Sequence, residues 1–137
     1  MKSTRELVCN WGNQVGFQHT FVLLCSIGHR IKERKIIIAN SFEEALKQAE
    51  ELCRVHDWKM IGLLKAKEFL KLSNYVGRVG WEKIIAWKEG EATLYYHNCP
   101  HCGYKAFAVD RPRRVCTKCH RSLRGNFKVL NWKDLND

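Results

Sequence analysis

The chain has 137 residues, room for one ordinary domain or two small ones. With 45% apolar and 28% charged residues it is not a disordered chain, and its most apolar run, Phe21 to Cys25, is far short of the roughly 20 residues that span a bilayer. Net charge is +10 and lies mostly at one end: residues 98–137 carry 9 Lys/Arg against 3 Asp/Glu, residues 1–72 carry 12 against 8, and residues 73–97 carry 3 against 3.

The stretch MKSTRELVCNWGNQ has neither a long apolar segment nor a small-residue cleavage site, which predicts a soluble, intracellular protein of the cytoplasm or nucleoid/nucleus, with no membrane partner. In FQHTFVLLCSI (17–27), Phe17, Phe21, Leu23, Cys25 and Ile27 recur with period two, as a strand requires. His19 shares that face and reads as a core or edge histidine. Gly28 opens a turn loaded with Arg30, Lys32, Arg34 and Lys35, and the β-branched KIIIA (35–39) returns as a second strand. A helix follows. Ser41 and Glu44 match a capping box, and Phe42, Ala45, Leu46, Ala49, Leu52, Cys53 and His56 recur at helical spacing up to a stop near Asp57. WKMIGLLKAK (58–67) reads as a third strand. Residues 1–72 are therefore expected to form a small β-β-α-β domain of the α+β class, with its helix on one sheet face. They hold no phosphate-loop or dinucleotide pattern, and no spacing ties a nucleophile to a base, so neither catalytic residues nor a small-molecule substrate are expected.

Residues 73–91, SNYVGRVGWEKIIAWKEGE, form a Trp/Gly-containing joint. They fit either a short helix ended by Gly90 or a hairpin pairing KIIAW with ATLYY, and their β-branched and aromatic content favours the hairpin. Trp81 and Trp87 are expected to pack one domain onto another.

Seven cysteines remain to be placed. Cys25 and Cys53 fall in apolar positions and read as small buried hydrophobes, while Cys9 has no assigned role. The other four form Cys99-Pro-His-Cys102 and Cys116-Thr-Lys-Cys119, two CxxC pairs separated by 13 residues. A CxxC turn aims two sulfurs at one point, and Gly103 permits the backbone angles such a turn needs. YKAFAV (104–109), a turn at Asp-Arg-Pro-Arg, and Arg114-Val115 are expected to form a hairpin that brings the two turns together. Four thiolates so spaced suit a tetrahedral Zn²⁺ held by Cys99, Cys102, Cys116 and Cys119.

On CPHCG, CTKC and the β-rich interval between them, residues 92–132 resemble the zinc-ribbon family. The resemblance implies a rigid β-ribbon that contacts nucleic acid or docks onto a nucleic-acid machine. Other uses of the cysteines fit less well. A thioredoxin-like pair wants a βαβ setting. Rubredoxin-like iron uses similar geometry but repeats CPxCG in both knuckles, whereas the second here is CTKCH. Four cysteines close the position that catalytic zinc leaves open. A zinc deaminase needs an H-x-E that is missing, and the paired acids of transcript-cleavage ribbons are replaced by Asp110-Arg111. His97, His101 and His120 flank the knuckles as neighbours or surface groups rather than ligands.

Arg111, Arg113 and Arg114 surround Pro112 at the expected hairpin tip, followed by Lys118, Arg121, Arg124 and Lys128. Planar guanidinium groups on a rigid ribbon match a phosphate backbone, and each phosphate neutralised releases counterion. Arg30, Lys32, Arg34 and Lys35 would widen that footprint if their loop faces the same side. Tyr104 and Phe107 are expected inside the ribbon's small core. The expected organisation is an α+β domain over 1–72, the joint or hairpin over 73–91, and a four-cysteine zinc ribbon over 92–137. The expected function is non-catalytic binding of nucleic acid, RNA or DNA, as an accessory factor on a ribosome, polymerase or other nucleoprotein assembly. The alternative is a protein–protein adaptor or inhibitor docking through a sheet edge or the tryptophan segment. A third reading is a subunit of a nuclease or modifying enzyme whose active site lies on its partner.

Overall fold

The computed structural model describes residues 3–28, 31–76 and 79–135, with the backbone alone for 31–33. Among them are two three-stranded antiparallel sheets and five helices, an α+β architecture. The chain divides into two compact units, Met1–Asn74 and Tyr75–Asp137. Among the described residues no helix is long and apolar enough to cross a membrane.

The first unit contains the expected β-β-α-β order, framed by two helices that the sequence reading left out. Helix α1 (Thr4–Val15) precedes strand β1 (Thr20–Ile27), β2 (Ile31–Ile38), helix α2 (Phe42–His56), β3 (Lys59–Lys65) and helix α3 (Ala66–Val76). The strand order is β2-β1-β3, so β1 is central. The capping prediction for α2 holds: Ser41 Oγ accepts from the Glu44 N–H at 3.2 Å, and a Glu44 carboxylate oxygen accepts from the Asn40 N–H at 3.1 Å. The helix ends where Asp57 turns left-handed, at φ 55°.

Phe21, Leu23 and Cys25 pack on Ala45, Ala49 and Cys53 of α2, together with Ile37 and Leu63. The simple alternation expected for β1 is incomplete, however. Val22 and Leu24 are also buried, because the opposite face of the sheet is covered as well. Helix α1 lies against β1 and is tied to α3 by the Arg5 guanidinium, which donates to the Leu70 carbonyl and the Ser73 hydroxyl. The run FVLLC is continuous because both faces are buried, the pattern of a strand between two layers. Phe17 and His19 fall in a 3₁₀ turn before the strand instead of in it. The His19 ring bonds the Ala39 carbonyl at 3.2 Å.

The second unit starts from a helix where the hairpin was expected. Helix α4 (Trp81–Lys88) buries Trp81, Ile84, Ile85 and Trp87. A Schellman motif ends it: Gly90 N–H donates to the Trp87 carbonyl, Glu91 N–H donates to the Ala86 carbonyl, and Gly90 sits at φ 83°. The β-branched and aromatic residues of KIIAW suit a strand, but their apolar groups recur at i, i+3 and i+4, and burial of that stripe decides for the helix. The Trp87 ring contacts Tyr75 and Trp132, and its indole N–H donates to the Leu130 carbonyl at 2.8 Å. Strands β4 (Leu94–Asn98), β5 (Lys105–Val109) and β6 (Lys128–Leu130) form a sheet in the order β5-β4-β6, followed by the single turn α5 (Trp132–Leu135).

Candidate metal centre and the cationic concavity

The two CxxC pairs occupy two turns of the same design. In the first, the Cys99 N–H donates to the Tyr104 carbonyl and the Gly103 N–H to the Cys99 carbonyl, both at 2.9 Å. In the second, the Cys116 N–H donates to the Arg121 carbonyl at 2.9 Å and the His120 N–H to the Cys116 carbonyl at 3.0 Å. Each first cysteine sulfur also accepts a backbone N–H two residues on, from His101 and Lys118, at 3.4 Å. The residue after each second cysteine is left-handed, Gly103 at φ 74° and His120 at φ 62°. The glycine predicted for this role thus has a histidine as its counterpart.

The hairpin expected between the pairs takes a different form. Residues 105–109 pair back onto β4, with Asn98 opposite Lys105, so the first turn closes the β4–β5 hairpin. The second turn closes its own small hairpin through the Val115–Ser122 bridge and a bond from Leu123 N–H to the Arg114 carbonyl. The ladder on β4 already uses the backbone groups of 105–109, which leaves 110–114 as a connection and not a tip.

The four sulfurs all lie within 4.8 Å of one another, with Cys99–Cys119 and Cys102–Cys116 at 3.6 Å. A disulfide needs a separation of about 2.05 Å, so these are four free thiols. Tetrahedral ligation at a metal–sulfur distance of about 2.3 Å would set sulfurs roughly 3.8 Å apart, close to the observed spacing. The donor set and its geometry therefore fit a metal ion held by Cys99, Cys102, Cys116 and Cys119. Backbone N–H groups of Cys119 and Lys118, aimed at the Cys116 sulfur, outweigh burial and bring that thiol down to about 6. At Cys99, desolvation raises the pKa, but the hydrogen bonds from Cys102, His101 and Cys119 together leave it lowered. At Cys102 the Tyr104 backbone bond lowers the pKa, but burial and the three neighbouring thiols push it up to about 11. Four thiols so close cannot all ionise unaided, and a bound cation removes that conflict.

Three of the predicted arginines meet a fourth. Arg111, Arg113 and Arg114 line an open concavity of about 730 Å³ together with Ser122, Arg124 and Phe127. Among the described residues, no acidic side chain lines it. Asp110, next to the arginines in sequence, points to Lys83 at 3.4 Å instead.

Two of the chain segments around it are tied together by His97, which is 1% exposed. Its Nε2 accepts the Arg113 backbone N–H at 2.9 Å, and its Nδ1–H donates to the Asn126 carbonyl at 3.0 Å. These partners assign the neutral Nδ1–H tautomer. His97 is thus a buried strut between the Arg113 and Asn126 segments, with both ring nitrogens engaged within the protein. His101 and His120 are exposed.

Lys118, Arg121 and Lys128 are exposed on the same unit but do not line the concavity. Arg34 and Lys35 lie on β2 of the first unit, the Lys35 ammonium 5.7 Å from the Trp58 ring centroid. Arg30 and the Lys32 side chain lie outside the described residues. Tyr104 packs against the cysteine cluster, and Phe107 sits between the Tyr75 and Tyr96 rings. The sequence reading did not assign His97, Ser122 or Phe127 to the site. No local signal marks them, since each acquires its role from a chain segment remote in sequence. No protein-family model matches the chain, and neither curated proteins nor solved structures give a significant match.

Proposed function

We propose that this chain is a non-catalytic nucleic-acid-binding protein of the zinc-ribbon type. Zn²⁺ on Cys99, Cys102, Cys116 and Cys119 orders the knuckles, and the arginines contact phosphates. The observation that carries the reading is the convergence of Arg111, Arg113, Arg114 and Arg124 on one acid-free concavity beside the cysteine cluster. Guanidinium forks there match phosphate oxygens bidentately. Lys118, Arg121 and Lys128 add positive charge around it. Such a module suits an accessory factor of a ribosome, polymerase or other nucleoprotein assembly.

Fluorescence anisotropy with labelled RNA and DNA across a salt series tests the reading. Binding should weaken steeply with salt, and Arg111→Ala/Arg113→Ala/Arg114→Ala should lower the logarithmic salt slope by about 2–3. Absence of binding at about 50 mM salt would sink the proposal and leave the adaptor reading in its place. Elemental analysis of purified protein should find one zinc per chain.

A further inference from the structure

We infer that the concavity takes a single-stranded segment of nucleic acid, its phosphates on the four arginines and one unpaired base against the Phe127 ring. This rests on the nucleic-acid reading above and specifies the ligand class. Phe127 is 43% exposed, although an aromatic ring gains most from burial. It is also fixed in place: Tyr95 meets it in a T-shaped contact at 5.2 Å and His97 at 6.2 Å. It shares the lining with Arg124, Gly125 and Ser122 and with the other three arginines. Anchored aromatic face and guanidinium groups therefore open onto the same space.

A duplex cannot use that combination. Its base faces are stacked on one another and hidden, so a ring behind a row of arginines meets only sugar and phosphate. An unpaired base exposes its face, and stacking on an aromatic side chain works for any base. The volume suits this ligand too, since clefts of about 300–1,000 Å³ hold compact organic ligands. The site is built in advance: His97 ties the Arg113 backbone to the Asn126 carbonyl, and the Asn126 amide donates to the Asn98 carbonyl at 3.1 Å. A preorganised lining lowers the ordering cost of binding.

The test uses the full, metal-loaded chain with labelled oligo(dT), oligo(U) and matched DNA and RNA duplexes of about 12 nucleotides, read by anisotropy. Both single strands should bind about ten-fold or more tighter than the duplexes. Phe127→Leu, which keeps an apolar side chain but removes the ring, should weaken single-strand binding about ten-fold and duplex binding distinctly less. Phe127→Trp should retain or improve it, a result that a merely structural role for the ring would not produce. Equal binding of duplex and single strand would overturn this inference but not the nucleic-acid reading. So would an unaffected Phe127→Leu variant in a protein whose arginine variants bind weakly. Competition by poly-glutamate as effective as by an oligonucleotide of equal charge would overturn both, in favour of an acidic protein partner. Loss of all binding at low salt would also overturn both.

Discussion

The core of the first unit and the knuckle end of the second are built from different materials. Strand β1 is buried on both faces, and the cluster on its α2 side alone gathers nine buried residues from three strands, a helix and the Ala39 connection. At the knuckles the buried cluster contains Cys99, Cys116 and Leu123, with Tyr104 and Cys119 packed against it. Among the described residues of that cluster, Leu123 is the only buried aliphatic side chain. The first region is held by apolar area, at roughly 25 cal/mol per Å². The second has little such area to bury, and a cation held by its four clustered thiols would supply order there through ligand bonds.

The largest effect should come from removing the metal. Chelation, or Cys99→Ser/Cys116→Ser, should abolish amide-exchange protection over 99–104 and 114–123 while leaving 20–27 and 42–56 protected. Protection that persists at the knuckles would break the contrast. Acid should act in the same way and in the same place. Protons compete with the cation for thiolate, so metal should be retained at neutral pH and released as the solution is made progressively more acid.

The reciprocal change is Leu23→Ala, which removes a fully buried side chain between β1 and α2. It should cost about 2–5 kcal/mol in denaturant unfolding of the first unit, with metal content unchanged. A smaller effect should follow His97→Ala. Loss of the ring leaves the Arg113 N–H and the Asn126 carbonyl to find water or go unpaired, at about 1–3 kcal/mol each where they remain buried. On the proposed reading, metal content should be unchanged while oligonucleotide affinity falls; loss of metal would make His97 part of the cluster and not a strut between two segments.

The smallest effect compares the two knuckles with each other. His120 holds a left-handed conformation that its counterpart Gly103 adopts freely. His120→Gly should therefore stabilise the metal-loaded unit by about 0.5–1 kcal/mol, the left-handed penalty less the extra chain entropy of glycine. A net loss in thermal unfolding would show that the His120 side chain contributes a contact of its own.

Much of the fold was legible because its causes are local. Ser41 caps the helix that follows it, and the period of Ala45, Ala49 and Cys53 sets the helix face. Alternation around Leu23 also marked a strand. Helix α4 was less legible because its residues suit two conformations. The composition of KIIAW favours a strand, and only burial of Trp81, Ile84 and Ile85 on one stripe selects the helix. Helix α1 was missed for a related reason: it carries few strongly apolar residues, and what settles it is the second face of β1 that it covers.

By itself, the sequence determined the cysteine set. Each CxxC turn is short and closes through its own backbone, so spacing alone brings each pair of sulfurs together and allows two such turns to share one ion. Tertiary structure decided the rest of the site. The strand between the turns pairs with β4 and not with the segment after it, which displaces Arg111 to Arg114 from a tip to the lining of a concavity. Arg124 and Phe127 line the same concavity, and a buried histidine ties the segments around it through ring nitrogens that reach 16 and 29 residues away. Contacts over such separations depend on how strands pair and not on local pattern, and so the arginines were visible in the sequence while the surface they form was not.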